Sequence, residues 1–471
     1  MGKNSIDQKE QREWISHVMR RAGVGATSDE IDELACKSYD DIVQDLVYPE
    51  NVSWMGDHLV RRFHYEHSGM MSLEGPACYW LYRMVTTDAP LEEKITLFWH
   101  GVFATGYPKV VHGKVLSSQV DMFRRKALGK FDDLLVELSK DPAMIVWLDN
   151  QENHKGSINE NYGRELLELF SMGVGNYSEE DIKEAARSFT GWSIGNTEYM
   201  VMRSERDSDF PYGRISWHFE FNENDHDYEG KTFLGQEGNF EGEDVIKIIC
   251  EQESTAKFIA RHMYSFFVED EVPVSSWKDV PPKNPEAIEI LAHAYFESDH
   301  SIAAMLTTLF KSDFFKSRSA RYKRMKSPAE LVVGVLRLSG QLDRPRREVG
   351  EHIVKMRYMG QYLHNPPSVE GWHEGDEWIE TGSLMERINF ASEPLGNSKQ
   401  PGVRNMLQYV LNDHESQEMS ESCLNAMGYF YVSETVKRVM KSISEDENLR
   451  DADLVNQMIR IIATSPDFQR C

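Results

Sequence analysis

The chain has 471 residues, of which 40% are hydrophobic and 11% aromatic, enough to bury a sizeable core. This composition excludes disordered, collagen-like and low-complexity proteins. Lysines and arginines number 52 against 77 aspartates and glutamates, and the net charge of −25 argues against nucleic acid and anionic membranes as main partners.

Helix-start signals occur along the whole chain. Three segments have the form of a capping box, in which a side-chain oxygen accepts a hydrogen bond from a free N–H of the first helical turn: Thr27-x-x-Glu30, Ser178-x-x-Asp181 and Ser327-x-x-Glu330. At Asp141-Pro142 and Asn284-Pro285 a capping residue precedes a proline, which suits the first helical position. Apolar residues at helical spacing predict a further helix over 90–104.

The exception lies near residues 197–240. Tyr199–Met202 and Ile215–Phe221 have the composition of strands, and the polar run Ser204–Gly213 between them favours a turn. We therefore predict a mainly α protein, a multi-helical globular body with a small antiparallel β-hairpin insert. The expected regions of this single module are an N-terminal helical region, the β insert, a helical region with a basic island and a C-terminal helical region: 1–196, 197–240, 241–392 and 393–471.

The sign of the charge reverses between residues 311 and 358, where 13 lysines and arginines stand against five aspartates and glutamates. One hypothesis is a docking surface for an acidic partner. The alternative is a basic layer packed against the acidic remainder of the chain, or a solvated helix face. The residues of this basic island are Arg318, Arg321, Lys323, Arg324 and Lys326.

Signatures of common catalytic classes, such as G-x-S-x-G, H-E-x-x-H or a phosphate-binding loop, do not occur in the sequence. His100, in an aromatic helical segment, is either a metal ligand or acid–base group, or a histidine held in the core. Glu165 and Glu168 lie three residues apart, so a helix places both carboxylates on one face, as cation ligands or an acid–base pair require. The alternative is a solvated acidic face in which Arg164 pairs with Glu168.

Two further polar groups lie later in the chain. His226 and Asp227 follow the second predicted strand, with Lys231 nearby, and such residues serve as metal ligands, as a base with its orienting carboxylate, or as turn formers. Trp372 follows a stiff pair of prolines and a glycine, an arrangement that suits the wall of a pocket or a packed structural corner.

Taken together, these segments resemble the bacterial family known as domain of unknown function 1800, over almost the whole chain. The matching motifs, in family order, are 14–25, Phe98-Trp99-His100, Asn161–Phe170, Gly173–Tyr177, Glu184–Arg187, Thr190–Trp192, His226-Asp227, Lys231-Thr232, Leu234-Gly235, Pro366-Pro367, Gly371-Trp372 and Ser465–Gln469. The family has no established activity, so the resemblance implies a fold and a choice of residues. Its members often look exported and are often encoded beside a sulfatase-like family.

The chain departs from the family pattern in two places. Val102 stands where the family often has a second histidine after Phe-Trp-His, so a two-histidine site cannot form there. The family's glycine-rich stretch after Gly-Trp is here His373-Glu374-Gly375, which changes the expected loop conformation.

Two functions follow from these residues. The first is a metal-dependent, hydrolase-type enzyme acting on an anionic or polar substrate, with Mn, Fe or Zn, which mixed glutamate and imidazole ligands suit better than Mg or Ca. The predicted metal ligands are His100, Glu165, Glu168 and His226, the catalytic residues Glu165, His226 and Asp227, and the substrate-binding residues Arg164, Lys231 and Trp372. The second is a non-catalytic helical scaffold, working with a partner such as a sulfatase-like protein, in which these residues form buried polar networks.

The five cysteines are scattered and contain no C-x-x-C pair, which indicates free thiols rather than a disulfide framework or a zinc–thiolate site. The polar N-terminus lacks the apolar segment of a secretory signal. No stretch approaches the roughly 20 apolar residues of a membrane span. We therefore expect a cytoplasmic protein.

Overall fold

The computed structural model describes residues 2–64, 72–196, 217–412, 418–445 and 450–471, with side chains from Lys9 onwards. These ranges contain 24 α-helices and two antiparallel two-stranded sheets. The predicted mainly α fold with a small β hairpin is therefore confirmed. The division into four regions stays a prediction.

Most helices follow one another with short connections, and the longest separation between described helices, from Ser188 to Gly242, holds the β insert. They are Gly2–Ala22, Ser28–Leu34, Tyr39–Val47, Asp57–Phe63, Glu74–Thr86, Pro90–Val102, Tyr107–Val110, Gly113–Lys126, Phe131–Ser139, Pro142–Trp147, Asn161–Glu168, Glu179–Ser188, Gly242–Cys250, Glu253–Phe267, Pro285–Glu297, Ile302–Lys311, Asp313–Lys316, Pro328–Ser339, Val349–Tyr358, Thr381–Leu395, Pro401–Asn412, Met419–Ala426, Glu434–Ser444 and Asp451–Thr464. No helix within the described ranges has the length and apolar character needed to cross a membrane.

The predicted helix starts are confirmed at the level of individual hydrogen bonds. All three capping boxes form, with both reciprocal hydrogen bonds present in each. Asp141 and Asn284 accept hydrogen bonds from the third N–H of their helices, and Pro142 and Pro285 occupy the first helical turn. The five cysteines are free thiols, as predicted.

The β insert begins before the predicted boundary. The strand Trp192–Gly195 pairs antiparallel with His218–Phe221, and Lys231–Phe233 pairs antiparallel with Gln236–Gly238. The first of these strands directly follows the helix Glu179–Ser188. The predicted strand 199–202 lies outside the described residues.

Two large hydrophobic cores organise the described residues, with a third, smaller cluster around Leu116. The first draws its buried residues from positions 15 to 320 and includes Phe98 and Trp99. The second draws them from positions 60 to 468 and includes Trp80 and Leu97. Since Leu97 and Phe98 belong to different cores, the helix Pro90–Val102 lies between the two.

A buried ion cluster joins the helices Pro90–Val102 and Pro328–Ser339. Glu330, at the start of the second helix, pairs with Lys94 of the first and with Arg324 of the preceding loop. Burial favours a raised pKa for Glu330, but the two cations outweigh this effect and hold its pKa well below the usual range.

The last residues of the chain close over the loop that carries Arg324. The backbone N–H of Cys471 donates to the carbonyl of Arg324, and the N–H of Lys326 donates to the carbonyl of Gln469, both at 2.9 Å. The side chain of Arg387 donates through Nε to Gln469 at 2.9 Å. The Arg324 loop is therefore held between a helix and the C-terminal segment.

Candidate functional site

A cleft with a volume of about 740 Å³ opens beside the helix Pro90–Val102. Its walls come from this helix, from the helix Glu253–Phe267 and from three loops, within residues 269–277, 323–327 and 367–378. The volume is typical of a site for a small ligand. We call it the acidic cleft, after the seven acids that line it: Glu269, Asp270, Glu271, Glu370, Glu374, Asp376 and Glu377.

Four of these acids have a basic partner. The pairs are Glu269–Lys283, Glu271–Arg261, Asp376–Arg470 and Glu377–His373. Within the described residues, Asp270, Glu370 and Glu374 form no ion pair. These three carboxyl groups therefore remain to interact with a ligand.

Arg324 lies at the inner end of the acidic cleft. Its Nη1 donates to both carboxylate oxygens of Glu330, at 2.7 and 2.8 Å, and its guanidinium lies 4.5 Å from the ring centre of Phe266. Nε and Nη2 make no hydrogen bond within the described residues, and both remain accessible although the side chain is only 6% exposed. One edge of a fixed, nearly buried guanidinium is thus free to bind a group in the cleft.

Asp270 lies in the loop after the helix Glu253–Phe267. Its Oδ2 accepts a hydrogen bond from the backbone N–H of Met325 at 2.8 Å, whereas Oδ1 has no partner in the described part of the chain. Burial raises the pKa of this carboxyl group, against the opposing charge of Arg324 and the Met325 N–H.

Glu374 lies next to Asp270 in the cleft. The following residue, Gly375, has a φ of +61°, and a Cβ placed there would be 3.5 Å from Cγ of Asp270. The Glu374 side chain is exposed to the cleft, and desolvation by the surrounding cleft walls raises its pKa to about 7. Arg324 opposes the shift, and the negative charges of Asp270 and Glu330 add to it.

Asp270, Glu374 and Arg324 thus share one space without pairing with one another. The raised pKa of Glu374, about 7, brings its titration close to neutral pH. A carboxyl group with such a pKa can both donate and accept a proton at neutral pH. The arrangement is suited to acid–base chemistry.

Aromatic rings form much of the remaining wall. Trp277 is covered by Arg261, whose guanidinium lies 4.5 Å from the ring, and by His262 at 4.6 Å between ring centres. Burial lowers the pKa of His262 to about 3, so its ring is neutral. Trp372, predicted to bind substrate, is half-buried and lines the cleft.

Glu165 and Glu168 lie on the helix Asn161–Glu168, close to the rim of the acidic cleft. Burial raises the pKa of Glu165 to about 7, and the charges of Glu168 and of the cleft residue Glu370 add to this shift. Arg164, predicted to hold substrate, instead pairs with Glu160 and Glu179 on the outer side. Glu165 is therefore the predicted catalytic residue that lies nearest to the cleft acids.

His100 is fully buried behind Trp372. Its Nε2 accepts a hydrogen bond from the backbone N–H of His364 at 3.0 Å, and its ring lies 5.0 Å from that of Trp372 and 5.2 Å from that of Trp80. Burial, and then the neighbouring His364, hold the pKa of His100 well below its usual range. The ring is neutral and supports the cleft wall.

His226, Asp227 and Lys231 form a separate network at the β insert. His226 Nδ1 donates to the carbonyl of Thr190 at 2.8 Å, and Lys231 donates to the carbonyl of Asp227 at 2.6 Å. The Asp227 carboxylate accepts a hydrogen bond from Arg187 at 2.8 Å. All three predicted residues are buried, and none lines the acidic cleft.

The four predicted metal ligands are therefore not gathered at one point: His100 is in the core, Glu165 and Glu168 are near the rim, and His226 is at the β insert. In the described ranges, no group of three or more histidine, cysteine, aspartate or glutamate side chains is placed to hold a metal ion.

The basic island does not form one surface. Arg321 pairs with Glu13, Lys326 is buried and donates to the hydroxyl of Tyr429, and Arg324 faces the cleft. Of the five residues proposed to dock an acidic partner, only Arg318 and Lys323 are exposed.

The sequence interpretation missed Asp270 and Glu374 as functional candidates and placed Arg324 in the basic island, whether a docking surface, a packed basic layer or a solvated helix face. Asp270 is the middle residue of the acidic run 269–271, and nothing in that run distinguishes it from its paired neighbours. For Glu374, the departure from the family's glycine-rich stretch at 373–375 was the available signal.

Comparisons with other proteins agree with the motif analysis. The family described as “Protein of unknown function (DUF1800)” matches residues 17–470. No curated protein matches the chain. No solved structure matches it either. Because the match covers nearly the whole chain, this protein belongs to the DUF1800 family.

Proposed function

We propose that the protein is a hydrolase-type enzyme that uses acid–base catalysis by carboxyl groups in the acidic cleft. The supporting observation is that Asp270, Glu374 and Arg324 approach the same space yet form no ion pair with one another. Arg324 is buried, and a buried charged group that serves only the fold normally has its hydrogen-bond donors paired.

In this proposal Glu374 is the general acid. Its pKa of about 7 leaves it able to protonate a leaving group at neutral pH. Asp270, held by the Met325 N–H, acts as the base that takes a proton from the attacking water. Arg324 holds a polar group of the substrate through its free edge.

A hydrolase screen with chromogenic esters, glycosides, phosphates and sulfates tests this function. Glu374→Gln should lower kcat at least about 100-fold, since general acid catalysis contributes about 10²–10⁴-fold. The matched control is Glu380→Gln, an exposed glutamate six positions away that does not line the cleft. Wild-type activity that survives both Glu374→Gln and Asp270→Asn would refute the proposal.

The scaffold function remains the alternative. Its support is the pair Arg318 and Lys323, which are exposed and available to an acidic partner. A pull-down in which the double change Arg318→Glu, Lys323→Glu removes a bound protein that the wild type retains would favour it. A cytoplasmic location and a sulfatase-like partner likewise stay predictions.

A further inference from the structure

The charges behind the acidic cleft do not balance. Arg21, Lys94 and Arg324 are buried cations whose charges act on one another or on shared acids. The acidic groups that act on them are Glu330, Asp270 and Cys471, and Glu330 also acts on the buried cations Lys326 and Arg387. Five buried cations thus share three acidic groups, so positive charge is in excess even when all three are ionised.

Arg21 shows this excess most directly. It is completely buried, and Nη2 donates to the carbonyl of Ala320 at 2.7 Å. Its Nε and Nη1 have no hydrogen-bond partner within the described residues. Burying a guanidinium without a carboxylate partner costs free energy. The positive charge of Arg21 therefore stabilises a negative charge that enters the space beside Arg324 and Asp270.

Two groups can supply this negative charge: ionised Glu374, or an anion in the cleft. Both would be stabilised by the same positive charges, and these charges cannot fully stabilise two negative groups at once. An anion bound to the free edge of Arg324 would therefore favour the protonated form of Glu374.

Resting on the proposed function, we infer that the substrate carries an oxyanion, either a carboxylate or a sulfate group. This oxyanion binds the free edge of Arg324 while Glu374 takes up a proton. The anion thereby places the general acid in its active, protonated form. Lys323, exposed and lining the cleft one residue earlier, supplies a second positive charge.

Of the other acids that line the cleft, Glu370 forms no ion pair within the described residues and opposes a bound anion, whereas Glu269 and Glu271 are ion-paired. On the loop of Glu374, Asp376 pairs with Arg470, and Glu377 with His373. From the elements packed against this loop, Asp270, Glu330 and Arg324 act on Glu374, as described above. Nη1 of Arg324 also donates to Sγ of Cys471 at 3.7 Å. This contact lies on the side of the guanidinium away from Nε and Nη2.

Isothermal titration calorimetry with sulfate and with D-glucuronate tests the inference, with neutral glucose as the control ligand. Both anions are fully ionised in the pH range used, so any proton uptake belongs to the protein. We expect one or both anions to bind more tightly at about pH 6 than at about pH 8, with net proton uptake near pH 7. The tighter of the two identifies the group on the substrate.

Variants separate this inference from the proposed function. Glu374→Gln should bind the anion at about pH 8 as tightly as the wild type does at about pH 6, while losing hydrolytic activity. Arg324→Gln should weaken binding at least about tenfold. Because that change unpairs Glu330, Lys323→Gln provides a second test, with about two- to threefold weaker binding in a stable protein.

Arg318→Gln is the surface control and should leave the affinity unchanged. Glucose binding as tightly as both anions, or anion binding that neither pH nor Glu374→Gln alters, would overturn the inference. Proton-coupled anion binding in a protein without hydrolytic activity would retain the inference and remove only the proposed function.

Discussion

Arg324 and Glu330 form an ion pair in which Nη1 of the arginine donates to both carboxylate oxygens, at 2.7 and 2.8 Å. Glu330 also caps its own helix by accepting from the N–H of Ser327 at 2.6 Å. The same pair therefore anchors a helix start and fixes the orientation of the guanidinium beside the acidic cleft.

Glu330→Gln should strongly destabilise the protein. The change leaves Arg324 and Lys94 as buried cations without a carboxylate, and removing one partner of a buried pair costs about 3–5 kcal/mol. Urea unfolding measures this loss. Glu30→Gln is the matched control, because Glu30 occupies the same capping-box position and pairs with Arg337, but is much more exposed; we expect a loss of about 1 kcal/mol or less. Equal losses in both variants would contradict the assigned role of Glu330.

The carboxyl group of Glu374 should titrate with a midpoint near 7. Carbon-detected NMR of the glutamate side chains measures it, with Glu374→Gln used for assignment. Asp270→Asn should lower this pKa, because a neighbouring negative charge is removed. A midpoint near 4.3, the value of an ordinary glutamate, would show that the cleft does not perturb this group.

Acidification should destabilise the fold between about pH 6.5 and pH 4. Burial lowers the pKa of His262 to about 3 and those of His352 and His364 to about 4, and it lowers those of His17 and His100 well below the usual range. In this window the unfolded chain binds protons that the folded protein excludes, so the free energy of unfolding falls as pH falls.

Raised carboxyl pKa values act in the opposite direction: desolvation raises the pKa values of Asp141, Glu165 and Glu374 to about 7 and also raises that of Asp270. A raised acid pKa stabilises the fold fully below the unfolded value near about 4, and this contribution is lost as pH rises towards 7. The five buried histidines outnumber these four carboxyl groups, so we expect the histidine effect to set the sign. Unfolding midpoints that stay constant from about pH 6.5 to about pH 4 would contradict the expected histidine effect.

Gly371→Ala should disturb the cleft wall that carries Trp372. Gly371 has a φ of +91°, and a Cβ there would lie 2.6 Å from the carbonyl oxygen of Gly101. We expect a loss of about 1–3 kcal/mol in the free energy of unfolding, with altered fluorescence of Trp372. Gly382→Ala is the control, since that glycine lies in a helix with open space around it, and should be neutral or stabilising by up to about 1 kcal/mol.

Asp227→Asn separates the β-insert network from the cleft. The change removes the charge that pairs with Arg187 at 2.8 Å, and we expect about 1–3 kcal/mol of destabilisation. Binding of glucuronate or sulfate in the cleft should be unchanged. A fully stable Asp227→Asn protein that has lost ligand binding would instead support the predicted catalytic role of Asp227.

Local chemistry made the fold predictable. A capping box such as Ser327-x-x-Glu330 is complete within four residues, so the helix start can be predicted before any tertiary contact is known. The strand Trp192–Gly195 was missed because it directly follows a helix and its partner lies more than 20 residues further along the chain.

The site was less predictable because it is assembled from distant segments. Asp270, Arg324 and Glu374 come from three loops, and each lies in a charged run typical of a solvated surface. What separates Arg324 from Arg318 is burial against Phe266 and pairing with Glu330, neither of which is encoded locally. His100 was predicted as a metal ligand or a core histidine, and the contact that fixes it in the core comes from the backbone N–H of His364, 264 residues away.

The hydrogen bonds from Cys471 to Arg324 and from Lys326 to Gln469 set an order of assembly during synthesis. Most helices of the first core are complete once residue 320 has left the ribosome. The loop that presents Arg324 gains its final backbone contacts only after residues 469–471 emerge. A chain shortened before residue 469 is thus expected to keep the first core yet to bind an anion poorly, because the Arg324 loop lacks these contacts.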